Sequence, residues 1–386
     1  MQYAHTLVNL SILLIIYNYA IYPVAVIGLA KLFFRRPEDD KYDDSDGDLS
    51  VTFVIAAYNE ERVIERKIKN TLGLDYPESK LEILVVADGS DDRTPELVEN
   101  YRDKGVRLLF NKERRGKTSA LNRAVESANG EIIVFSDANN DFRKDAVKKL
   151  VRHFKNPSVG GVCGSKKIRL NEIRESSEGD SLYWRYESAI KSAESAIGSI
   201  TGADGEIFAV RKSLYKIMNE KVINDDAELT LSLIQQGYRV LYDTEAESWE
   251  EASINIVDDF NVKVRMVAGG FQTISRWPVE TLLPLTWHSF AFFSHKVLRW
   301  VVPELMLVAL LGTCLLSGQA IYKTLFILQL PFYALAITGW LLRKKGQLPT
   351  FIYVPYYLFT MNMAAFVGLM KYVRGRQSTV WKKAQR

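Results

Sequence analysis

Hydrophobic and polar positions divide the chain into three regimes. Residues 7–30 carry no formal charge and are dominated by Leu, Ile, Val and Ala. About 20 such residues carry a helix across a bilayer, so this run predicts a membrane span. Lys31, Arg35 and Arg36 follow at once and place that end in the cytoplasm. From Leu49 the pattern changes to strand–helix alternation. Apolar strands are predicted at 51–57, 81–87, 106–110 and 131–136, with amphipathic helices at 60–72, 92–104 and 117–129. Pro77, Gly89, Gly105, Gly116 and Gly130 punctuate the joins. This βαβα order predicts a parallel sheet with right-handed crossovers. Further strands are expected at 161–168, 206–211 and 238–243, without regular helices between them.

The third regime is membrane-like again. Phe260, Val264, Val267, Phe271 and Ile274 recur at helical spacing, so 260–276 is an amphipathic helix. Residues 277–300 are rich in Trp, Phe, Leu and Pro and include His288, His295, Lys296 and Arg299. They suit a helix at the membrane surface or, equally, one packed on the globular part. Hydrophobic runs at 301–322, 324–342 and 348–370 finish the chain.

Charge sharpens this division. Charged residues make up 25% of the chain, which excludes a bare membrane bundle. Residues 37–48 hold seven acids against Lys41 alone and form a solvated linker. The last sixteen residues hold six bases and no acids, which suits contact with anionic lipid. No nucleic-acid motif accompanies these bases. Three full C-terminal spans would put the basic tail opposite the globular domain, so one run is expected to be re-entrant or interfacial. Cys163 and Cys314 lack metal-ligand neighbours and are expected as small buried residues without a disulfide.

Polar strand tips carry the candidate chemistry. The first strand ends in Tyr58-Asn59-Glu60, a helix cap or a base- and ribose-binding loop. The second ends in Asp88-Gly89-Ser90-Asp91-Asp92, where Asp88 suits a nucleotide contact and Asp92 a helix N-terminus. Arg114–Asn122 contains Gly116-Lys117-Thr118 but lacks the first glycine of a phosphate loop. Its helix start and bases still attract phosphate. The fourth strand ends in Asp137-Ala138-Asn139, an ordinary turn or a pair of hard oxygen ligands for Mg²⁺ or Mn²⁺. Thr201-Gly202-Ala203-Asp204-Gly205 allows close backbone approach to a ligand. Asn224-Asp225-Asp226 opens a helix, where a carboxylate either serves the helix dipole or takes a proton from an acceptor hydroxyl.

Taken together and in order, these elements resemble the membrane-bound family 2 glycosyltransferases, related to polysaccharide synthases. The resemblance runs from about Val51 to Trp277. It implies an α/β GT-A nucleotide-diphospho-sugar transferase domain with flanking transmembrane and interfacial helices. The division is 1–34 membrane helix, 35–48 acidic linker, 49–258 catalytic domain, 259–300 interface helices, 301–372 membrane segments and 373–386 basic tail. Asp226 would be the general base. Tyr58, Glu60, Asp88, Lys117, Asp137, Asp204 and Arg265 would contact the donor, and Asp137 with Asn139 would hold Mg²⁺ or Mn²⁺. The implied activity is inverting hexosyl or N-acetylhexosaminyl transfer from a nucleotide sugar, such as a UDP-sugar, to a lipid-linked or growing glycan acceptor. Membrane lipid and a homodimer or synthase partner are the expected associations. The alternative is a catalytically silent nucleotide-sugar-binding subunit of a synthase complex. One departure stands out. Polymer-making members carry Q-x-x-R-W, whereas Gln272 and Trp277 here stand one residue further apart, a turn of about 100° on a helix.

Overall fold

The computed structural model describes residues 2–35, 49–169, 177–251, 256–277, 286–343 and 348–376. Most of the acidic linker, Lys344 and Lys345, and the tail from residue 377 lie outside the described residues. Strand β1 (Val51–Ala57) pairs in parallel with β2 (Leu81–Asp88) and β4 (Ile132–Asp137), and β3 (Val106–Asn111) pairs in parallel with β2. Helices α2 (Ile64–Leu72), α3 (Thr94–Glu99) and α4 (Lys117–Ser127) make the crossovers. Alternation along β1 sorts the two layers. Phe53 and Ile55 pack with Ile64, Ile68, Val98 and Leu150 on one face. Val54, Leu84 and Phe135 pack with Leu121, Ala124 and Leu233 on the other.

The sheet has eight strands in the order β3-β2-β1-β4-β7-β6-β8-β5. The parallel expectation holds for β1–β4 and ends at β7 (Phe208–Arg211), which runs antiparallel to β4 and to β6 (Val159–Arg169). Strand β7 enters through the 201–205 turn at the C-terminal edge of the parallel strands, so it runs back against them. Strand β8 (Arg239–Glu251) is parallel to β6 and extends well past the expected end at 243. The short β5 (Asn140–Phe142) closes the edge against β8. The expected helix 92–104 breaks after Glu99, and its last turn ends at Gly105 with φ 80°. Helices α5 (Ala146–Val151), α6 (Ser177–Ile197), α7 (Asp225–Gln235) and α8 (Ile256–Arg276) complete the domain.

Among the described residues, four helices are long and apolar enough to cross a membrane: α1 (Gln2–Phe33), α9 (Trp287–Leu315), α10 (Ala320–Leu342) and α11 (Thr350–Val373). The segment from 287 is therefore the start of α9 rather than a separate surface helix. Tyr22 and Val26 of α1 pack on Ile190 and Ala193 of α6. The start of α1 meets the other end of the bundle, where Asn9 accepts from Tyr322 at 3.2 Å. Helix α11 differs from the other three. Tyr357 lies 6.5 Å from Tyr183 of α6, Asn362 donates to the Tyr19 hydroxyl at 3.1 Å, and Tyr372 stacks on Phe271 of α8. The helix also packs along α10, where a Cβ on Gly339 would fall 2.5 Å from that of Tyr356, so it ties the membrane helices to α6 and α8. Cys163 is buried as expected, whereas Cys314 is exposed on α9.

Asn140 fastens the sheet where β4 ends. Its side chain accepts from Ser136 at 2.9 Å and from Lys67 at 3.1 Å, and donates to the Glu206 carbonyl at 2.9 Å. Lys67 is fully buried among Phe53 and Phe142, and burial pushes its ammonium down to about 7. Replacing Asn140→Ala leaves three buried polar groups short of a partner, at a cost of about 2–3 kcal/mol. The detergent-solubilised variant should melt several degrees lower in a fluorescence melt; an unchanged Tm would show that water replaces these bonds freely.

Candidate active site

The expected motifs converge on the C-terminal edge of β1, β2 and β4. Strands β2 and β4 flank β1, so Asp88 and Asp137 stand about 10 Å apart across it. Asn59 adopts φ 54°, and its amide exchanges hydrogen bonds with Asp91, donating at 2.6 Å and accepting at 3.0 Å. The Glu60 backbone amide donates to Thr94 at 2.8 Å. Asp92 accepts from the amides of Glu61 and Thr94 ahead of α3, which is the helix-start role expected for it. Tyr58 lies under the Arg114 guanidinium, 3.5 Å from ring centre to carbon.

Asp88 is 4% exposed and fully engaged inside the protein. It accepts from the backbone amides of Arg115 and Gly116 at 2.9 and 2.6 Å and from Arg123 at 3.2 Å. Gly89 lets this happen: a Cβ there would fall 2.4 Å from that of Arg114. Asp88 therefore holds the loop that starts α4, and Lys117 is the first residue of that helix. Lys117 Nζ donates to Asp137 Oδ1 at 2.7 Å. Burial would lower the Lys117 ammonium, but Asp137, Asp225 and Asp226 hold it above its ordinary value.

Asp226 sits in the first turn of α7, and its Oδ1 accepts from the Ala227 amide at 2.7 Å. Burial and the neighbouring Asp225 push its carboxyl up to about 6 against the pull of Lys117. Gly205 packs directly on this pair, where a Cβ would lie 3.3 Å from that of Asp226. Asp204 is clamped by Lys191 of α6, at 2.8 Å to each carboxylate oxygen.

Asn139 is drawn sideways, its amide donating to Glu250 of β8 at 2.7 Å. Glu250 also pairs with Lys166, which reaches Glu206 at 2.9 Å. Among the described residues no group of three His, Cys, Asp or Glu forms a ready metal cage. The Asp137 carboxylate alone, 28% exposed beside an ammonium, suits a divalent ion that takes its remaining ligands from diphosphate and water.

Helix α8 buttresses α7. Gln272 accepts from the Ile223 amide at 3.1 Å and donates to the Lys221 carbonyl at 2.9 Å. Trp277 donates to Glu228 at 3.2 Å. The extra residue between Gln272 and Trp277 thus leaves both within reach of α7 or the loop that opens it. Arg265 lies on the same helix, half-buried. Sequence reasoning missed Lys191, Lys166 and Glu250. The available signal for Lys191 was a charge on the same face of α6 as the buried Ile190 and Glu194.

Fold and site together define a GT-A nucleotide-sugar transferase architecture. Residues 52–217 match the family model for Glycosyl transferase family 2. Over those residues the chain is similar to family 2, and the curated relatives it matches are polysaccharide synthases. It is 28% identical over 261 residues to the poly-beta-1,6-N-acetyl-D-glucosamine synthase of Staphylococcus epidermidis, covering 65% of this chain and 62% of that one. The synthase of the same name from Staphylococcus aureus strain COL is 27% identical over 247 residues, covering 63% of this chain and 59% of the relative. The matches thus span about three fifths of these relatives. The mannosyltransferase PcManGT of Pyrobaculum calidifontis, solved with GDP-Man and Mn²⁺, shares the fold over 96% of this chain and 100% of its own, with TM-score 0.71 and 22% identity.

The contact at Gly205 is testable. In Gly205→Ala the aspartate pair must shift by a few tenths of an ångström. The expected result is a fall of about tenfold in kcat with unchanged folding by circular dichroism. An unaltered kcat would show that the position of Asp226 is not set there.

Proposed function

We propose that the protein is an inverting glycosyltransferase that works at the cytoplasmic face of a membrane. It moves a sugar from a nucleotide donor to a lipid-linked or growing glycan acceptor. The observation that carries this reading is Asp226, a half-buried carboxyl raised to about 6 beside Asp225 and Lys117. Such a group is ionised at neutral pH and basic enough to take a proton. The acceptor hydroxyl gives its proton to Asp226 and attacks the anomeric carbon, and the bond to the nucleoside diphosphate breaks on the opposite side. Lys117 meets negative charge on the leaving diphosphate. Asp137, with Asn139 beside it, would hold Mg²⁺ or Mn²⁺, which supplies charge neutralisation for that leaving group. Tyr58, Glu60 and Arg265 are the proposed further donor contacts, and Asp88 and Asp204 act by fixing the loops around it.

The names of the synthase relatives favour N-acetylglucosamine, and the fold neighbour was solved with GDP-Man. A donor screen by nucleoside-diphosphate release, with UDP-N-acetylhexosamines, UDP-hexoses and GDP-mannose, therefore tests the reading. Asp226→Asn should lower transfer at least a hundredfold while donor binding persists. Wild-type protein that binds donor yet never turns over would favour the silent-subunit alternative.

Sign and window for pH follow from the same group. The base works only when deprotonated, so kcat/KM should rise with pH through about 6 and level off above it. A flat acid limb across that range would remove Asp226 from the role.

The helix packing supports a topology in which α1, α9 and α10 cross and α11 lies at the interface. Lys31, Arg343, Lys371, Arg374 and Arg376 then gather on the catalytic side, in accord with the positive-inside rule. A reporter fused after Arg376 should share the compartment of one inserted in the catalytic domain; opposite sides would overturn this arrangement.

A further inference from the structure

Among the described residues, more positive than negative charge gathers where α6, α8 and α9 meet near the middle of α1. Glu187 of α6 accepts from His295 at 3.2 Å and Lys296 at 3.1 Å, and also pairs with Arg299. Glu194 contacts His295 at 2.8 Å. Burial alone would raise both carboxyls, yet the cations hold Glu187 well below its usual range and keep Glu194 low as well. Two ionised carboxylates therefore face three fixed cations, Lys263, Lys296 and Arg299. Arg299 is 8% exposed, and its Nη2 lacks a hydrogen-bond partner. Lys263 makes no ion pair among the described residues and lies 5.7 Å over the Tyr183 ring. Burial lowers its ammonium to about 8. Lys263 and Lys296 are half-buried and Arg299 is buried, so among the described residues the cluster carries an unbalanced positive charge that a further anion would neutralise.

Position says where that anion comes from. Asn18 and Tyr19 of α1 lie against Arg299, so the cluster sits beside a membrane helix. Lys296 reaches the catalytic loop as well: its Cε is 3.9 Å from a Cβ built on Gly202, the one atom within 4 Å there. Gly202 is three residues from Gly205, which packs on Asp226, so at most about 11 Å of backbone separates the two. In the proposed reaction the donor's diphosphate belongs with Lys117 and Asp137.

We propose that Lys263, Lys296 and Arg299 seat the phosphate of a membrane-embedded acceptor lipid, with its sugar hydroxyl extending to Asp226. This rests on the glycosyl-transfer reading for the hydroxyl, but the anion site stands on the cluster itself. Lipid binding without donor therefore tests it separately from turnover.

The probe is a long-chain alkyl monophosphate in phosphatidylcholine nanodiscs carrying the full chain, read by native mass spectrometry of the retained lipid. The corresponding alcohol and free inorganic phosphate are the comparison arms. Wild-type protein should retain the alkyl phosphate and not the alcohol. Lys263→Gln and Lys296→Gln should each weaken retention by about tenfold. Lys216→Gln, an exposed lysine of the catalytic domain, should leave it unchanged. Arg299→Gln removes a buried ion pair and risks misfolding, so the two lysine variants carry the test. Equal retention of the alcohol, an effect of Lys216→Gln as large as that of Lys263→Gln, or binding of inorganic phosphate alone would each overturn the proposal.

Discussion

Carboxylates crowd the C-terminal edge of the sheet, and the structure depends on two lysines that neutralise them from inside. Lys117 meets Asp137, and Lys191 meets Asp204. Without Lys117, Asp137 would add its charge to Asp225 and Asp226 at one end of α7. With it, Asp226 is raised by burial and by Asp225 but stays ionisable near neutrality. Under the proposed reaction a nucleoside diphosphate adds further negative charge to this edge, and Lys117 is the cation placed to meet it.

The position of Lys117 is itself imposed from one strand away. Asp88 grips the amides of Arg115 and Gly116, and Gly116 at φ 101° turns the chain into α4. A backbone held at two consecutive amides leaves the next side chain little freedom. Asp88 thus positions the loop that carries Lys117. An aspartate at a strand tip invites a direct ligand contact in sequence reading, because sequence does not tell which amide will come to meet it. On the other flank Asn140 ties β4 to Glu206, and Glu250 draws Asn139 toward β8.

Much of this was legible in the chain. Strands β1–β4 and the motifs at their tips follow from period-2 burial and from glycine punctuation, both local signals. The reversal at β7 was hidden because an apolar tetrapeptide looks the same in either direction, and only the preceding 201–205 turn decides it. Lys191, Lys166 and Glu250 were hidden for another reason. Each pairs with a residue far along the chain, and no spacing rule connects Lys166 to Glu250. The membrane arrangement was legible only as a conflict: three apolar runs disagreed with the basic tail, and the structure adds that α11 packs on α6 and α8 as well as on α10.

Helix α8 gives the membrane part a share in the site. On one side a Cβ on Gly368 of α11 would come within 2.8 Å of the Val264 carbonyl. On the other, Gly269 sits so close to Asn224 that a Cβ would meet its Oδ1 at 2.4 Å, and Asn224 donates to the Met266 carbonyl at 2.8 Å. Asn224 immediately precedes the aspartate pair. Contacts this tight leave no slack for α8 to slide against α11 or against the start of α7. The family match ends at residue 217, before Asp226. The fold shared with the mannosyltransferase of Pyrobaculum calidifontis covers 96% of this chain, so the helices after residue 217 belong to the common architecture as well, and through Asn224 they set the start of α7.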